Sequence, residues 1–354
     1  MQPNRRHFLK SALAGSLAAA GLSAPASLTA SESSAQSAAD HGPMRNKACI
    51  SAGDDRTQNI INALKPFAKE IKAAVGNRRI VIKPNNVAID QQLCATHADA
   101  LAGIIEFLKS IDVKNDMIIA ESAASGPTFE GFENYGYPKL KSQYGVELID
   151  LDKEPIQMRH VVNDGDMHPY FVRMSKLLLD PETFLISAAV MKTHDRVIAT
   201  LSLKNIVFGA PIKDEGFRWG RGGRQGARND KPITHGGGFK GVNYNLFKLA
   251  PELHPDLSVI DGFQGMEGNG PVGGTPVDHK VAVAGLHWFS ADRTALELMG
   301  INFDDVGYLN YCAQAGMGEA DVSKIEQLGE RIEDHVKKYK LHDRAEQQLI
   351  WKKA

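Results

Sequence analysis

Residues 184–191, with the sequence FLISAAVM, decide the fold. A continuous apolar run of this length, bounded by polar residues, is typical of a strand that is buried on both faces. Such strands belong to parallel sheets that are covered by helices on both sides. Lys192, Thr193, His194 and Asp195 follow the run directly. We therefore expect a central strand whose carboxyl end brings polar side chains to one edge of a sheet.

Strand-like and helix-like patterns alternate on both sides of this run. Short β-rich segments occur at residues 79–83, 116–120, 146–151, 257–260 and 280–284. Helical patterns occur at residues 56–75, 96–111, 137–144 and 291–299, with Pro66 as a break and Gly76 as a stop in the first. This alternation predicts an α/β fold with a mostly parallel sheet and helices on both faces.

Residues 209–241 form the most irregular part of the chain and are predicted to be a long Gly/Arg-rich loop insertion. They contain ten glycines, and residues 213–231 carry six Lys and Arg against three Asp and Glu. A loop of this length inside a compact domain is usually functional or disordered. Two interpretations stay open: an active-site flap or partner-binding arm, and a mobile surface insertion.

Composition excludes several classes of protein. The formal net charge is -1, so no overall field favours nucleic acid. Hydrophobic residues make up 43% and charged residues 23%, as in ordinary globular proteins. The three cysteines, Cys49, Cys94 and Cys312, show no Cys-x-x-Cys spacing, so an iron–sulfur cluster ligand set and a structural zinc site are not encoded. One disulfide with one free thiol, or three buried thiols, are both compatible with them.

The N-terminal residues have the pattern of an export signal. Arg5 and Arg6 precede a weakly apolar stretch at residues 11–24, which is the pattern of a twin-arginine (Tat) signal. The stretch is too short and too rich in small residues for a membrane span, and no later apolar run approaches membrane length. A cleaved signal, with no stable membrane span left after cleavage, is preferred over a tethered anchor. We expect the Tat translocase as a partner during export and a periplasmic or otherwise extracytoplasmic location.

These patterns divide the chain into three parts. Residues 1–39 are the signal peptide and a flexible leader, and residues 45–320 are the α/β domain. Residues 321–354 are expected to be a C-terminal helical extension, because residues 322–340 have the charged pattern of a solvated helix.

Polar residues recur where the predicted strands end. Lys83 and Asn85 follow the first strand, Glu121 and Ser122 the second, and Asp261 a later one. In open parallel sheets, ligands bind outside the carboxyl ends of the strands. We therefore predict a cleft for a small anionic or oxygen-rich ligand at this edge.

Catalytic roles are assigned to Lys192, His194 and Asp261. A lysine and a histidine at the rim of the core lose hydration and titrate in a range that suits proton transfer or anion binding. Asp261 or Glu121 would orient the imidazole of His194. Eight residues are predicted to bind the ligand: Lys83, Asn85, Glu121, Ser122, Lys204, Asn205, His235 and Asn269.

A divalent metal is an alternative occupant of the cleft. His194, His235, Asp261 and Glu267 would supply a mixed nitrogen and oxygen ligand set. Their spacing matches no fixed metal-binding motif, and the cofactor is otherwise undetermined.

Several short motifs, taken in order, resemble one family. They are Lys83-Pro84-Asn85, Lys192-Thr193-His194, Leu203-Lys204-Asn205, Gly268-Asn269-Gly270-Pro271, and Asp292 before Leu298-Met299-Gly300. The chain is similar over about residues 80–300 to the family called domain of unknown function 362. The resemblance implies an iron–sulfur association in some members, but this chain lacks the cysteines for it. A redox or other protein partner remains open, and the family name implies no reaction.

Two functions follow as hypotheses. The first is an enzyme that uses Lys, His and Asp acid–base chemistry on its ligand, of undetermined reaction class. The second is a non-catalytic periplasmic accessory protein that binds a ligand, a metal or an iron–sulfur partner.

Overall fold

The structure, a computed structural model, describes residues 46–166 and 168–353. The predicted signal and leader, including Arg5 and Arg6, lie outside these described residues. The strands are β1 (Lys47–Ala52), β2 (Arg79–Lys83), β3 (Met117–Glu121), β4 (Glu147–Asp150), β5 (Ile156–Val162), β6 (Pro169–Ser175), β7 (Thr183–His194), β8 (Ile198–Thr200), β9 (Leu257–Asn269), β10 (Gly273–Gly285) and β11 (Glu326–Gly329).

The helices lie between the strands along the chain or after the last strand, singly or in groups of two or three. They are α1 (Arg56–Leu64), α2 (Ala68–Val75), α3 (Ala98–Ser110), α4 (Thr128–Asn134), α5 (Tyr137–Tyr144), α6 (Lys176–Leu179), α7 (Ser202–Val207), α8 (Lys231–Thr234), α9 (Gly238–Leu249), α10 (Trp288–Leu298), α11 (Gly307–Gln314), α12 (Ile332–His335) and α13 (Ala345–Gln348). Among the described residues, every helix is too short or too polar to span a bilayer.

Within the described ranges, one sheet of nine strands forms the centre of the domain. Its order is β11-β1-β10-β9-β7-β2-β3-β4, with β8 paired to β7. The pairings β11–β1, β9–β7, β7–β2, β2–β3 and β3–β4 are parallel, whereas β1–β10, β10–β9 and β7–β8 are antiparallel. The prediction of an α/β fold with a mostly parallel sheet is confirmed. β5 and β6 form a separate antiparallel hairpin.

The apolar run at residues 184–191 lies inside β7, and all residues of that strand are buried. β7 is buried because it pairs with β2 on one side and β9 on the other, and helices cover both faces. One apolar layer contains residues of α1, α2, α3 and α5, and the opposite layer contains residues of α7, α9, α10 and α11. Pro66 and Gly76 act as predicted: a 3₁₀ turn at Lys65–Phe67 separates α1 from α2, and Gly76 ends α2.

Two local predictions differ from the structure. The strands predicted at residues 257–260 and 280–284 are much longer, because β9 and β10 continue through the glycine-rich residues 262–274 as an antiparallel pair joined by a turn. Residues 322–340 do not form a helix, because β11 pairs in parallel with β1 and α12 is a single turn. The charged pattern was misleading because Ile325 and Ile332 are buried against the domain while their charged neighbours face solvent. The boundary of this C-terminal part as a separate extension remains a prediction.

Candidate functional site

A cavity of about 390 Å³ lies at the carboxyl ends of β2, β3 and β7. Seven of the predicted site residues line this cavity: Lys83, Asn85, Glu121, Ser122, His194, Lys204 and His235. The loop after β8 and α7 closes one side, through Phe208, Trp219 and Lys231. The strand ends thus bring residues that are more than 100 positions apart to one site, as expected for a parallel sheet.

Lys83 and Glu121 form a buried ion pair beneath the cavity. The Lys83 ammonium donates to Pro84 O at 2.9 Å, Glu121 Oε2 at 2.9 Å and Asn205 Oδ1 at 3.2 Å. An ammonium has three protons, so all of them are used within the protein. Burial lowers the pKa of Lys83, and the contact with Glu121 opposes that shift. Lys83 therefore joins the strand ends and has no proton left for a ligand, contrary to the predicted binding role.

Glu121, Asn205 and Ser122 complete the same scaffold. Glu121 also accepts from the backbone N–H groups of Asn86 and Ser122. Asn205 Nδ2 donates to Lys83 O and to Ser187 Oγ, while its Oδ1 accepts from Lys83 and from Asn85 Nδ2. Ser122 Oγ donates to an Asp152 carboxylate oxygen at 2.6 Å. The hydrogen-bonding groups of Glu121 and Asn205 are saturated by these contacts and fix the floor of the cavity, whereas Asn85 Oδ1 is buried without a hydrogen-bond partner among the described residues.

Lys204 differs from Lys83 in having no hydrogen-bond partner for its ammonium among the described residues. Its side chain lines the cavity, is 6% exposed, and has its Nζ 5.4 Å from the Phe208 ring centroid. Burial, together with the nearby ammonium of Lys192, lowers the pKa of Lys204 to about 7. Protonated and neutral forms of this amine therefore coexist near neutral pH.

Asp292 holds the helix that carries Lys204. Its two carboxylate oxygens accept from Ser202 N at 2.7 Å and Leu203 N at 3.1 Å, at the start of α7. A carboxylate that accepts from the first N–H groups of a helix stabilises that end of the helix. Asp292 is fully buried, and this burial raises its pKa to about 7. It is a positioning residue for Lys204 and Asn205.

Lys231 and Arg196 add positive charge to the cavity, and Lys192 lies outside its lining. Lys231 Nζ donates to Gly209 O at 2.8 Å and to Pro211 O, and burial lowers its pKa to about 7. Arg196 lines the cavity with a partly exposed side chain. Lys192 Nζ donates to Cys94 O at 2.8 Å in the interior, where burial lowers its pKa to about 8. A direct catalytic role for Lys192 is not supported by this position.

His194 and His235 stack in the cavity wall with ring centroids 6.0 Å apart. Arg196 N donates to His194 Nδ1 at 3.0 Å. A backbone N–H can only donate, so the proton of the neutral His194 ring is on Nε2. Asp195 Oδ1 is also 3.1 Å from His194 Nδ1, but the fixed backbone donor decides the tautomer.

His235 has the opposite tautomer. Its Nδ1 lies 2.8 Å from the carbonyl oxygen of Lys231, which can only accept, so Nδ1 carries the proton and Nε2 has a free lone pair. Burial, reinforced by the charge of Lys204, lowers the pKa of His235 to about 3 and the pKa of His194 well below its usual value. At neutral pH the pair therefore offers one N–H donor and one unprotonated acceptor nitrogen.

Three predicted residues lie elsewhere. Asp261 pairs with Arg56 Nε at 3.2 Å and accepts from Phe263 N at 2.9 Å, and it does not line the cavity. Burial raises the pKa of Asp261. Glu267 accepts from Lys340 N at 2.8 Å, and Asn269 exchanges hydrogen bonds with Asp343. The sequence misplaced them because β9 continues past Asp261 to pair with β10 instead of ending at the cavity.

The proposed metal ligand set is therefore not assembled. His194 and His235 lie at the cavity, whereas Asp261 and Glu267 contact other parts of the protein. Among residues 46–166 and 168–353, no group of three or more His, Cys, Asp or Glu side chains is arranged to hold a metal ion. Cys49, Cys94 and Cys312 are buried free thiols, so the alternative of a disulfide is not realised.

Comparison with known proteins places this architecture in a family. The family model described as "Domain of unknown function (DUF362)" matches residues 80–297. The chain belongs to this family. The matched region of this DUF362 protein begins in β2 and ends in α10, so it contains the three strand ends and the α7 helix that form the cavity.

More distant similarities are of limited extent. The DUF362 protein is 23% identical to a thylakoid-associated protein of Synechocystis sp. over 63% of its own length and 64% of the relative's, so it spans just under two thirds of that relative. Among solved structures, a lactate racemase apoprotein from Thermoanaerobacterium thermosaccharolyticum gives a TM-score of 0.39 at 12% identity, covering 73% of this chain and 58% of the other. A Thermotoga maritima protein gives a TM-score of 0.40 at 13% identity, covering 69% and 59%.

The sequence missed several residues of the cavity in this DUF362 protein. Lys231 and Trp219 come from the Gly/Arg-rich loop, in which no periodic pattern marks one residue above another. Trp219 N donates to Ser125 O at 2.7 Å, and Arg218 pairs with Glu130, so this part of the loop is attached beside β3 and α4. Arg196 directly follows the polar segment Lys192–Asp195 that the sequence analysis identified. Including one more residue in that segment would have found it.

Proposed function

We propose that this DUF362 protein binds a small anionic, oxygen-rich ligand in the cavity and acts on it by general acid–base catalysis. One observation carries the proposal: Lys204 presents a buried ammonium without a hydrogen-bond partner among the described residues to the cavity. A buried charge without a partner is costly, and an anionic ligand group would remove that cost by a charge-assisted hydrogen bond.

The charge balance of the cavity supports an anion over a cation. Lys204, Lys231 and Arg196 all line it. Glu121, the buried carboxylate of the lining, is already neutralised by Lys83 and accepts from two backbone N–H groups. Asp195 is the other acidic residue of the lining and is partly exposed. The net field therefore favours a carboxylate or phosphate.

The opposite tautomers of the two histidines support proton transfer. Nε2 of His235 can accept a proton from the ligand, and Nε2–H of His194 can donate one to an oxygen that gains negative charge. The ammonium of Lys204 would stabilise the same negative charge in a site shielded from water. Proton transfer beside a carboxylate or carbonyl group is the reaction class that these groups fit best.

Calorimetric titration with acetate, succinate and phosphate tests the binding step. Lys204→Met should weaken the affinity for the anion that binds by about 10- to 100-fold, the range expected for one charge-assisted hydrogen bond. Lys204→Arg, which keeps the charge, should retain most of the affinity. Lys114→Met is the matched control, because Lys114 is a highly exposed surface lysine. Equal affinities for the Lys204→Met variant and the wild type would refute the proposal.

The histidines separate catalysis from an accessory role. If the protein is an enzyme, His194→Ala and His235→Ala should each lower turnover by about 100-fold or more while anions still bind. Unchanged turnover of a substrate in both variants would refute acid–base catalysis by these histidines and leave only the proposal of ligand binding.

Export by the Tat route is part of the proposal and is supported by the sequence of residues 5–24 alone. Replacing Arg5 and Arg6 together by lysine should retain the protein in the cytoplasm of a host with an active Tat system. Fractionation with a periplasmic marker measures this, and unchanged export of the double variant would contradict it.

A further inference from the structure

The surroundings of Lys204 differ from those of the other buried lysines in one chemical respect. Lys83, Lys192 and Lys231 each donate to oxygen atoms of the protein. Lys204 has no such acceptor among the described residues, and it faces the cavity from α7. A lysine that donates to carbonyl or carboxylate groups has its nitrogen engaged by them, whereas an unbonded, desolvated lysine that faces a cavity is free to lose its proton and act as a nucleophile.

Burial and two neighbouring lysines favour the neutral form of Lys204. Lys192 and Lys83 are both fully buried and both oppose a charge on Lys204, whereas Asp195 favours that charge. The pKa of Lys204 is lowered to about 7, because burial and the two lysines outweigh Asp195. A lysine beside another cation in a desolvated pocket is the known arrangement of an amine that attacks carbonyl carbons.

From this geometry we propose that Lys204 forms an imine with a carbonyl compound that also bears a carboxylate, such as a 2-oxo acid. The proposal deepens the proposed function and rests on it, because the carboxylate would be held by Arg196 and by the protonated form of Lys231. Both line the same cavity as Lys204.

The two histidines supply the proton transfers that this step needs. The neutral amine of Lys204 adds to the carbonyl carbon, forming a C–N bond, and the C=O π pair becomes an oxyanion that is protonated by His194 Nε2–H. The nitrogen then loses a proton to His235 Nε2. The hydroxyl group takes the proton now held by His235 Nε2 and leaves as water while the nitrogen lone pair forms the C=N bond. The proton that remains on the imine nitrogen returns to His194 Nε2, so both histidines regain their starting forms. Amine and carbonyl are converted to imine and water, with no net oxidation or reduction.

An imine would also explain why acid–base groups surround this lysine. A protonated imine withdraws electrons from the adjacent carbon, so a C–H bond there becomes acidic enough for a histidine to break it. The ring stack of His194 and His235 lies in the same cavity wall as Phe208, whose ring contacts both His235 and the Lys204 ammonium.

Borohydride trapping tests the imine directly. The purified full-length protein is incubated with pyruvate, reduced with borohydride, and measured by intact mass and peptide mapping. We expect one adduct per chain, with the mass of pyruvate minus one water plus two hydrogens, on the peptide that contains Lys204. Acetone, which lacks the carboxylate, should label much less at equal concentration.

Two variants make the result specific. Lys204→Arg keeps the positive charge but cannot form an imine, so it should bind acetate or phosphate and lose the adduct. Lys114→Met, which removes an exposed lysine, should label like the wild type. An adduct that persists in Lys204→Arg, or labelling spread evenly over exposed lysines, would overturn the proposal.

The outcomes also separate this inference from the proposed function. Wild-type protein that binds anions but gives no adduct with pyruvate or with glyoxylate, a smaller aldehyde acid, would refute the imine and leave anion binding intact. Failure of the wild type to bind any of the anions would refute the proposed function. An adduct on Lys204 that forms equally well with acetone would then support an imine without carboxylate recognition and overturn the 2-oxo acid class.

Discussion

Lys83 Nζ and the Glu121 carboxylate lie 2.9 Å apart, with side chains that are 1% and 2% exposed. The pair joins the carboxyl ends of β2 and β3 and also binds Asn205 at α7. Because both charges are desolvated, each needs the other, and removing one leaves a buried charge without compensation.

Single substitutions of this pair should therefore be strongly destabilising. We expect Lys83→Met or Glu121→Leu to lower the free energy of unfolding by about 3–5 kcal/mol, and the double variant to lose less than the sum. Denaturant titration measures this. The control is Lys47→Met, which removes a partly exposed pair with Glu326 and should cost no more than about 1 kcal/mol. Equal losses of unfolding free energy in Lys47→Met and Lys83→Met would contradict the assignment of Lys83 and Glu121 as a buried ion pair.

Stability should rise with pH between 7 and 9. Folded-state pKa values of about 7 for Lys204 and Lys231 and about 8 for Lys192 lie below the ordinary value of 10.5. In this window the unfolded chain binds more protons than the folded one, so the free energy of unfolding increases by up to about 1.4 kcal/mol per pH unit for each group. Denaturant titrations at pH 7, 8 and 9 measure the slope.

The same experiment has an internal control. Lys204→Met should reduce the slope of the unfolding free energy against pH by up to about 1.4 kcal/mol per pH unit, because the substituted residue no longer titrates. The window ends at pH 9, because burial raises the pKa of Cys49 and of Cys312 to about 12 and thiol ionisation in the unfolded state favours unfolding at higher pH. A slope that is flat, or that is identical in the variant, would show that Lys204 stays protonated.

Anion affinity should fall as the pH rises above 7. Binding requires the ammonium form of Lys204, whose pKa is about 7 in the free protein. Above that pH the observed affinity should decrease by up to about tenfold per pH unit, because a proton must be taken up on binding. Calorimetry in buffers of different ionisation enthalpy would detect that proton. Lys204→Arg should show a weaker pH dependence, and an unaltered profile in that variant would assign the titration to another group.

Gly209 should tolerate no side chain. A Cβ there would lie closer than van der Waals contact to Lys83 Cε and Nζ and to Asn205 O. Lys83 cannot move away without losing its three acceptors, so Gly209→Ala should cost about 1–3 kcal/mol or more and should weaken anion binding. Gly165→Ala is the control, because no atom of the described residues lies within 4 Å of a Cβ at that position. Similar melting temperatures for the two variants would contradict this account of the cavity floor.

Much of the fold could be predicted because its signals are local. The apolar run of β7 and the helix signals of α1 and α2 depend on neighbouring residues in the chain, and they were recognised at nearly their observed bounds. The wrong predictions concern segments whose structure depends on distant partners. β9 extends to Asn269 because β10 pairs with it, and β11 forms because β1 is available at the edge of the sheet.

For the candidate site, sequence alone determined which chemical groups follow the strands: the lysines, Glu121, His194 and the polar steps at residues 83–86 and 203–205. Only the tertiary structure decided which of these groups face the cavity and which are engaged by other parts of the protein. Lys83 is saturated by Glu121 and Asn205, Lys192 is buried below, Asp261 lies with Arg56, and Lys204 alone of the three nominated lysines faces the cavity without a hydrogen-bond partner among the described residues. The reason is that hydrogen-bond saturation and burial depend on which strands lie side by side, and that is set by pairing across the whole chain.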